Sequence, residues 1–185
     1  MTEPHDTERV AIEVRPATPA DLPAIMAMTR AAFGYELEAR LVERLQRERR
    51  VAASVVAVCD GAVVGHAMLS RVELTAPGEP AQEALALAPV AVAPEHQGCG
   101  IGSLVVRTCV RLADGELPVF VIGDPEFYGR FGFEPAASHG VRQRFEVAPG
   151  HFMVRLTARC PVLPTGDSTG ACACTLEYPA AFDGC

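Results

Sequence analysis

The run Gln97-Gly98-Cys99-Gly100-Ile101-Gly102 lies between an apolar stretch and a helix-like one. Residues of this type and spacing can bind an anion. The first N–H groups of a helix lack internal partners, and the helix dipole adds positive potential there. Glycines remove Cβ atoms and permit positive φ, so successive N–H groups can converge on phosphate oxygens. The expected ligand carries a phosphate or pyrophosphate. A nucleoside-triphosphate P-loop needs G-x-x-x-x-G-K-S/T, and this chain contains no lysine. A dinucleotide fingerprint, G-x-G-x-x-G, would open at Gly98 and Gly100, but Ser103 follows Gly102. Asp124, after a strand, lies at a distance that keeps this option open. The third pattern is R/Q-x-x-G-x-G/A, read from Gln97 to Gly102, and a plain helix-capping turn is the structural alternative.

Other side chains with chemistry divide into weaker groups. Seven cysteines are scattered through the chain, an odd number without a secretory signal, which argues against a disulfide framework. Cys160, Cys172, Cys174 and Cys185 cluster late, but no C-x-x-C pair is present, so reduced thiols are expected and no metal. Cys99 sits at a helix start, where a thiol can be activated, yet it reads as a spectator. His66, in the middle of a strand, reads as packed or hydrogen-bonded rather than catalytic. Arg40, Arg44, Arg47, Arg49 and Arg50 read as the solvated face of a helix with Glu–Arg pairs.

The elements that must position these residues follow from periodicity. "AIEVRPAT" alternates as a strand and ends at Pro16. Thr18, Pro19 and Asp21 signal a helix start, with the helix ending near Gly34. A second helix repeats Leu37, Leu41, Val42 and Leu45 with charges opposite. Asp60-Gly61 between two apolar runs marks a hairpin. "ALALAPVAVAP" is a third long strand, followed by a helix from Gly100 to about Asp114 and a short buried strand, "PVFVIG". "FMVRLTA" and "CACTLEY" form a final strand pair. The helix between "ALALAPVAVAP" and "PVFVIG" makes those strands a right-handed parallel crossover, and the hairpin makes the earlier ones antiparallel. The expectation is an α/β (α+β layered) fold: a mixed sheet with helices on both faces.

Composition narrows the class. Hydrophobic residues at 49% and charged residues at 21% describe one globular domain over 1–185, its core at about 10–160 and a C-terminal strand and tail at 161–185. No stretch approaches the roughly 20 apolar residues of a membrane span, and "MTEPHDTERV" lacks a signal peptide's basic start, so a cytoplasmic location is expected. A net charge of −7 argues against nucleic acid and mildly favours cationic amines as substrates. The stretch after Pro161 is long enough to cover a sheet edge or swap onto a second copy, which leaves a homodimer among the expected partners.

Together, "PVAVAPEHQGCGIGSLVV", "EFYGRFGF" and the βαα-βββ order resemble the GNAT superfamily of N-acetyltransferases. "VIGDPEFYGRFGFEPA" and the late "LEYPAAF" are similar to its YhbS-like branch. The resemblance spans about residues 10–182. It implies a mostly antiparallel sheet of about seven strands with a splayed central parallel pair. It further implies acetyl-CoA as cosubstrate and an amine, small-molecule or protein, as acceptor. Its pyrophosphate would meet the N–H groups of Gln97, Gly98, Cys99, Gly100, Ile101 and Gly102. The backbone of Val90, Ala91 and Val92 would pair with the pantetheine arm, with a free N–H at or beside Val90 stabilising the oxyanion. Pro89 fits a bulge or an unpaired edge there, because proline donates no ladder hydrogen bond. Tyr128, four residues before Gly132, matches the family's general acid. The family's glutamate base position holds Ala86, so Glu73 is the first candidate for the base, followed by Asp124 and Glu83. A CoA-binding sensor without efficient turnover and a dinucleotide-binding domain are the alternatives.

Overall fold

The computed structural model describes residues 11–113, 115, 117–157 and 174–184. Strand β1 (Ile12–Pro16) leads into a short 3-10 turn capped by Thr18, whose N–H donates to Asp21 Oδ2 at 2.7 Å. Arg15 donates two hydrogen bonds of 2.8 Å to the same carboxylate and holds it well below the usual carboxylate range. Helix α1 (Leu22–Phe33) follows and stops at Gly34, whose φ of +78° closes the helix with a bond to Arg30 O. Helix α2 (Leu37–Arg47) buries Ala39, Leu41, Val42 and Leu45 along one stripe.

Strands β2 (Val51–Cys59) and β3 (Ala62–Thr75) form the expected hairpin. Asp60 and Gly61 both have positive φ (48° and 79°), as a type I′ turn requires. Next come β4 (Gln82–Val92), helix α3 (Ile101–Leu112), β5 (Val119–Ile122) and the short helix α4 (Pro125–Tyr128). The remaining strands are β6 (Glu134–Pro135), β7 (Val141–Arg142), β8 (Phe152–Arg155) and β9 (Cys174–Glu177).

Among the described residues, nine strands share one sheet, with the order β1-β2-β3-β4-β5-β8-β6 and with β9 beside β3 and β7. The pairs β4–β5 and β7–β9 are parallel, and the others are antiparallel. The two strands beyond the expected seven are the two-residue β6 and β7. One expectation is corrected: the last two long strands are not partners. β8 pairs with β5 and β6, whereas β9 pairs with β3 through Glu73, Leu74 and Thr75. The reason is length. β2 begins opposite Ser70, so β3 runs on past it with a bare edge, and an unpaired edge takes the next available strand.

Alternating side chains divide the core between the two faces. Val119 and Val121 join α3 residues Val105, Val106 and Cys109 in one cluster. Phe120 joins Leu41, Val42 and Leu45 of α2 in the other. His66 is fully buried in β3, as expected of a packed residue, with Nε2 2.9 Å from Ser54 Oγ. Burial lowers its imidazole from 6.5 to about 4. Below pH 6.5 the unfolded chain takes up a proton that the folded chain refuses until about pH 4, so stability is full above 6.5 and falls through that window. The loss is roughly 3 kcal/mol at 1.36 kcal/mol per unit. Denaturant titrations between pH 7 and 4 should show this slope, and His66→Gln, which keeps a partner for Ser54, should flatten it. An equal slope in the variant would assign the loss to other groups.

Candidate active site

The site begins with a register shift. Gly65, His66 and Ala67 of β3 face Val92, Ala91 and Val90 of β4, whereas Leu69 and Ser70 face Leu87 and Ala86. Met68 is thus opposed by two residues, Ala88 and Pro89, which is a β-bulge. Pro89 carries no N–H, so the bulge strands no donor at that residue. Pairing between β4 and β5 covers only Leu85↔Val119 and Ala86↔Phe120. From Leu87 onward the two strands diverge and leave a slot.

The bulge also changes which backbone groups face this slot. Leu85 N–H donates toward β5, to Pro118 O at 3.0 Å. Beyond the bulge, Ala93 N–H donates toward β3, to Val64 O at 2.9 Å. Because strand groups alternate, Ala91 also turns to β3, and Val90 and Val92 turn to the slot. Val92 O accepts from Gln97 Nε2 at 3.1 Å on that same side, in agreement.

A cavity of about 390 Å³ occupies the slot. Leu87 and Tyr128 on its wall belong to the α3-side cluster, and Leu41, Phe120 and Phe182 to the α2-side cluster. The cavity is therefore lined by residues from both faces of the sheet. Tyr128 is held there from several directions. Asp124 caps α4 by accepting from Glu126 N–H at 2.9 Å, and the Tyr128 ring packs edge-on against Phe127 (4.9 Å) and Phe133 (5.8 Å). Gly123 lies directly against the ring: an added Cβ would come within 2.9 Å of Tyr128 Cδ2 and closer still to Cε2. Burial pushes the phenol up to about 12, so it keeps its proton.

Beyond the end of β4, Gln97 to Gly100 form an exposed loop that turns into α3 at the buried Ile101. Gly98 and Gly100 have φ of +77° and +83°, which requires glycine, whereas Gly102 is already helical. The first helical bond runs from Leu104 N to Gly100 O, and no side chain caps the start. The N–H groups of Ile101, Gly102 and Ser103 lie upstream of that bond. A Cβ on Gly102 would meet Phe127 and Val92 at ordinary distances of 3.5 and 3.6 Å, so the protein itself does not demand glycine there. Arg130 stacks on that same Phe127 ring, 4.7 Å from its centroid.

Of the residues singled out in the sequence, Val90 and Tyr128 line the cavity, Ala91 and Val92 continue the same strand, and Gln97 to Gly102 follow that strand without being among the cavity's lining residues. Glu73 does not join them. It is exposed, faces Glu83 and Glu177 across the strands, and lies well before the point where β4 and β5 separate. Glu83 is held by Arg71 at 2.6 Å, and Asp124 serves as the cap. The carboxylate on the cavity wall is Glu38 of α2, which the sequence did not single out. Its Oε1 accepts from Tyr35 at 3.2 Å, and its Oε2 is buried without a hydrogen-bond partner among the described residues. Cys99 is exposed, while Cys160, Cys172 and Cys185 lie outside the described residues. Among the described residues, no group of three or more His, Cys, Asp or Glu could hold a metal ion, and no helix is long and apolar enough to cross a membrane.

Comparison with known proteins agrees with this geometry. Residues 13–136 match the family described as Acetyltransferase (GNAT) domain. The uncharacterized N-acetyltransferase YhbS of Escherichia coli (strain K12) is 35% identical over 148 residues, covering 78% of this chain and 87% of YhbS. The uncharacterized N-acetyltransferase YjhQ of the same strain is 36% identical over 170 residues, covering 82% and 92%. The crystal structure of E. coli YhbS in complex with CoA superposes with a TM-score of 0.77 at 30% identity, covering 98% of this chain and 95% of that one. A GNAT acetyltransferase from Brucella melitensis in complex with acetyl-CoA gives 0.69 at 28% identity, covering 94% and 99%. With residues 13–136 matching the family, and with relatives of 35–36% identity over most of its length, the chain belongs to the GNAT family of N-acetyltransferases.

Proposed function

We propose that the protein transfers the acetyl group of acetyl-CoA to a primary amine by direct attack within a ternary complex. One observation carries this reading: a single cavity is lined by residues from both faces of the sheet, so two substrates can meet in it from opposite sides. Similarity to the YhbS–CoA and Brucella acetyl-CoA complexes supports the choice of cofactor.

The pyrophosphate would lie on the N–H groups from Gln97 to Gly102, with Arg130 supplying positive charge nearby. The pantetheine arm would add to the free edge of β4 at Val90, Ala91 and Val92, as an extended strand does. Val90 N–H is the donor for the oxyanion formed on attack, a preorganised contact worth roughly 3 kcal/mol. Tyr128 then hands its proton to the departing sulfur. A phenol raised by burial is a weak acid, but a thiolate leaving into the same desolvated slot is raised by the same physics. The match that matters is between these two groups, both away from water.

Acetyl-CoA and CoA should each raise the melting temperature, by about 2.7 kcal/mol of stabilisation at a hundredfold excess over Kd. Stabilisation by NAD alone would overturn the cofactor assignment. Tyr128→Phe should lower kcat tenfold or more while acetyl-CoA affinity, read by calorimetry, stays within about twofold. Gly123→Ala should lower kcat in the same direction by displacing the ring, yet add little on the Tyr128→Phe background. An undiminished kcat in Tyr128→Phe would remove this residue from the mechanism.

A further inference from the structure

The acceptor half of the cavity has a composition that selects its guest. Its α2-side wall is made by Leu41, Phe145, Tyr178 and Phe182, with Val147 at the rim. Phe145, Tyr178 and Phe182 form a connected aromatic cluster, with ring centroids 5.0 and 4.8 Å apart. Arg44 of α2 fixes this wall by donating to Asp183 O at 2.8 Å, and Arg144 holds the Asp183 carboxylate at 2.6 Å. Against these rings stands Glu38, the one carboxylate among the described lining residues, which include no basic side chain. A buried carboxylate oxygen without a partner is costly to the free protein and calls for a donor from outside.

We infer that Glu38 receives the acceptor's ammonium and takes its proton, and that the acceptor is a primary amine on a neutral aromatic or alkyl body. This rests on the acetyl-transfer reading above and assigns the substrate class of that same site. A protonated amine is drawn to a carboxylate and to aromatic faces, while its apolar body fills the wall. A polyamine would leave its second ammonium without a counter-charge. A free amino acid would bring a carboxylate that no lining cation meets. The step balances as follows. The ammonium loses a proton to Glu38, and the nitrogen lone pair forms the C–N bond at the thioester carbon. Glu38 passes that first proton to solvent. Collapse then breaks the C–S bond, the second nitrogen proton goes to Glu38, the sulfur gains a proton from Tyr128, and the Tyr128 phenolate regains one as Glu38 gives up its second. An N-substituted acetamide, free CoA thiol and one proton result.

Thiol release by the full chain tests this with 2-phenylethylamine, tryptamine, spermidine and lysine as acceptors. The two arylalkylamines should exceed the others in kcat/KM by a hundredfold or more. Equal or better turnover of spermidine or lysine, or no acetylation of any amine by protein that binds acetyl-CoA, overturns the inference. Loss of the acetyl-CoA thermal shift itself would instead sink the underlying acetyltransferase reading. Glu38→Gln should lose about a hundredfold in kcat/KM at pH 7 with its acetyl-CoA thermal shift intact. Activity should return as the pH approaches the amine's own pKa near 10, where no base is needed. A variant as active as wild type at pH 7 removes Glu38 from this role. Val147→Asp, at an exposed rim position, should improve spermidine relative to phenylethylamine by tenfold or more, and an unchanged ratio would overturn the wall's part in selection.

Discussion

One extra residue in β4 is the constraint on which the rest depends. Because Ala88 and Pro89 together face Met68, the strand bends and its hydrogen-bonding parity reverses between Leu85 and Val90. Without the bulge, β4 would continue alongside β5, and Leu87 onward would be sealed by a parallel ladder. With it, the ladder ends after Ala86↔Phe120, and the donors of Val90 and Val92 are turned toward the opening. The strand thereby keeps a short run of backbone groups facing a slot. Proline at the bend removes one N–H that would have no use there.

The slot divides labour between the faces of the sheet. The α3 face supplies an uncapped helix start, two glycines with positive φ and a buried tyrosine pinned by Gly123. The α2 face supplies an aromatic wall and, among the described lining residues, one carboxylate. For the proposed reaction, neither face alone would bring a polyanionic cofactor and an amine to one point, because the two need opposite environments. Separating them by the thickness of a sheet, and joining them only at the slot, lets each environment stay unmixed. The same separation explains why the wall depends on residues remote in sequence. α2 and the segment around Phe182 meet through Arg44, 139 positions before the carbonyl of Asp183 that it holds.

Much of this was legible in the sequence wherever the deciding physics is local. Asp60-Gly61 announces its turn because few dipeptides tolerate two positive φ values. Gly98 and Gly100 announce theirs for the same reason, and Pro89 marks the bulge because proline fits no interior ladder. The family resemblance added Tyr128, which local pattern alone would assign to packing against Phe127 and Phe133. What failed depended on tertiary placement. The partner of β9 follows from β3 outrunning β2, a matter of relative strand lengths. Glu73 looked well placed along its strand, but its register partner is Glu83, several residues short of the opening. Glu38 went unnoticed because Glu36, Glu38, Glu43 and Glu48 look alike on an amphipathic helix. Only the packing of α2 over the slot separates one of them from its solvated neighbours.

The charge of the chain poses a last problem that the local geometry resolves. A protein with a net charge of −7 and no lysine should repel a phosphate-bearing cofactor at long range. At physiological salt, however, exposed charges are largely screened beyond about 8 Å. On the proposed reading, what would act on the pyrophosphate is therefore local: the N–H groups at the start of α3, which has no side-chain cap, and their aligned dipole, with Arg130 on the neighbouring Phe127 ring. Backbone donors of this kind need no basic surface and survive any change in overall charge. The same screening leaves a protonated amine, the proposed acceptor, to be drawn by the nearby Glu38 carboxylate rather than by the overall charge.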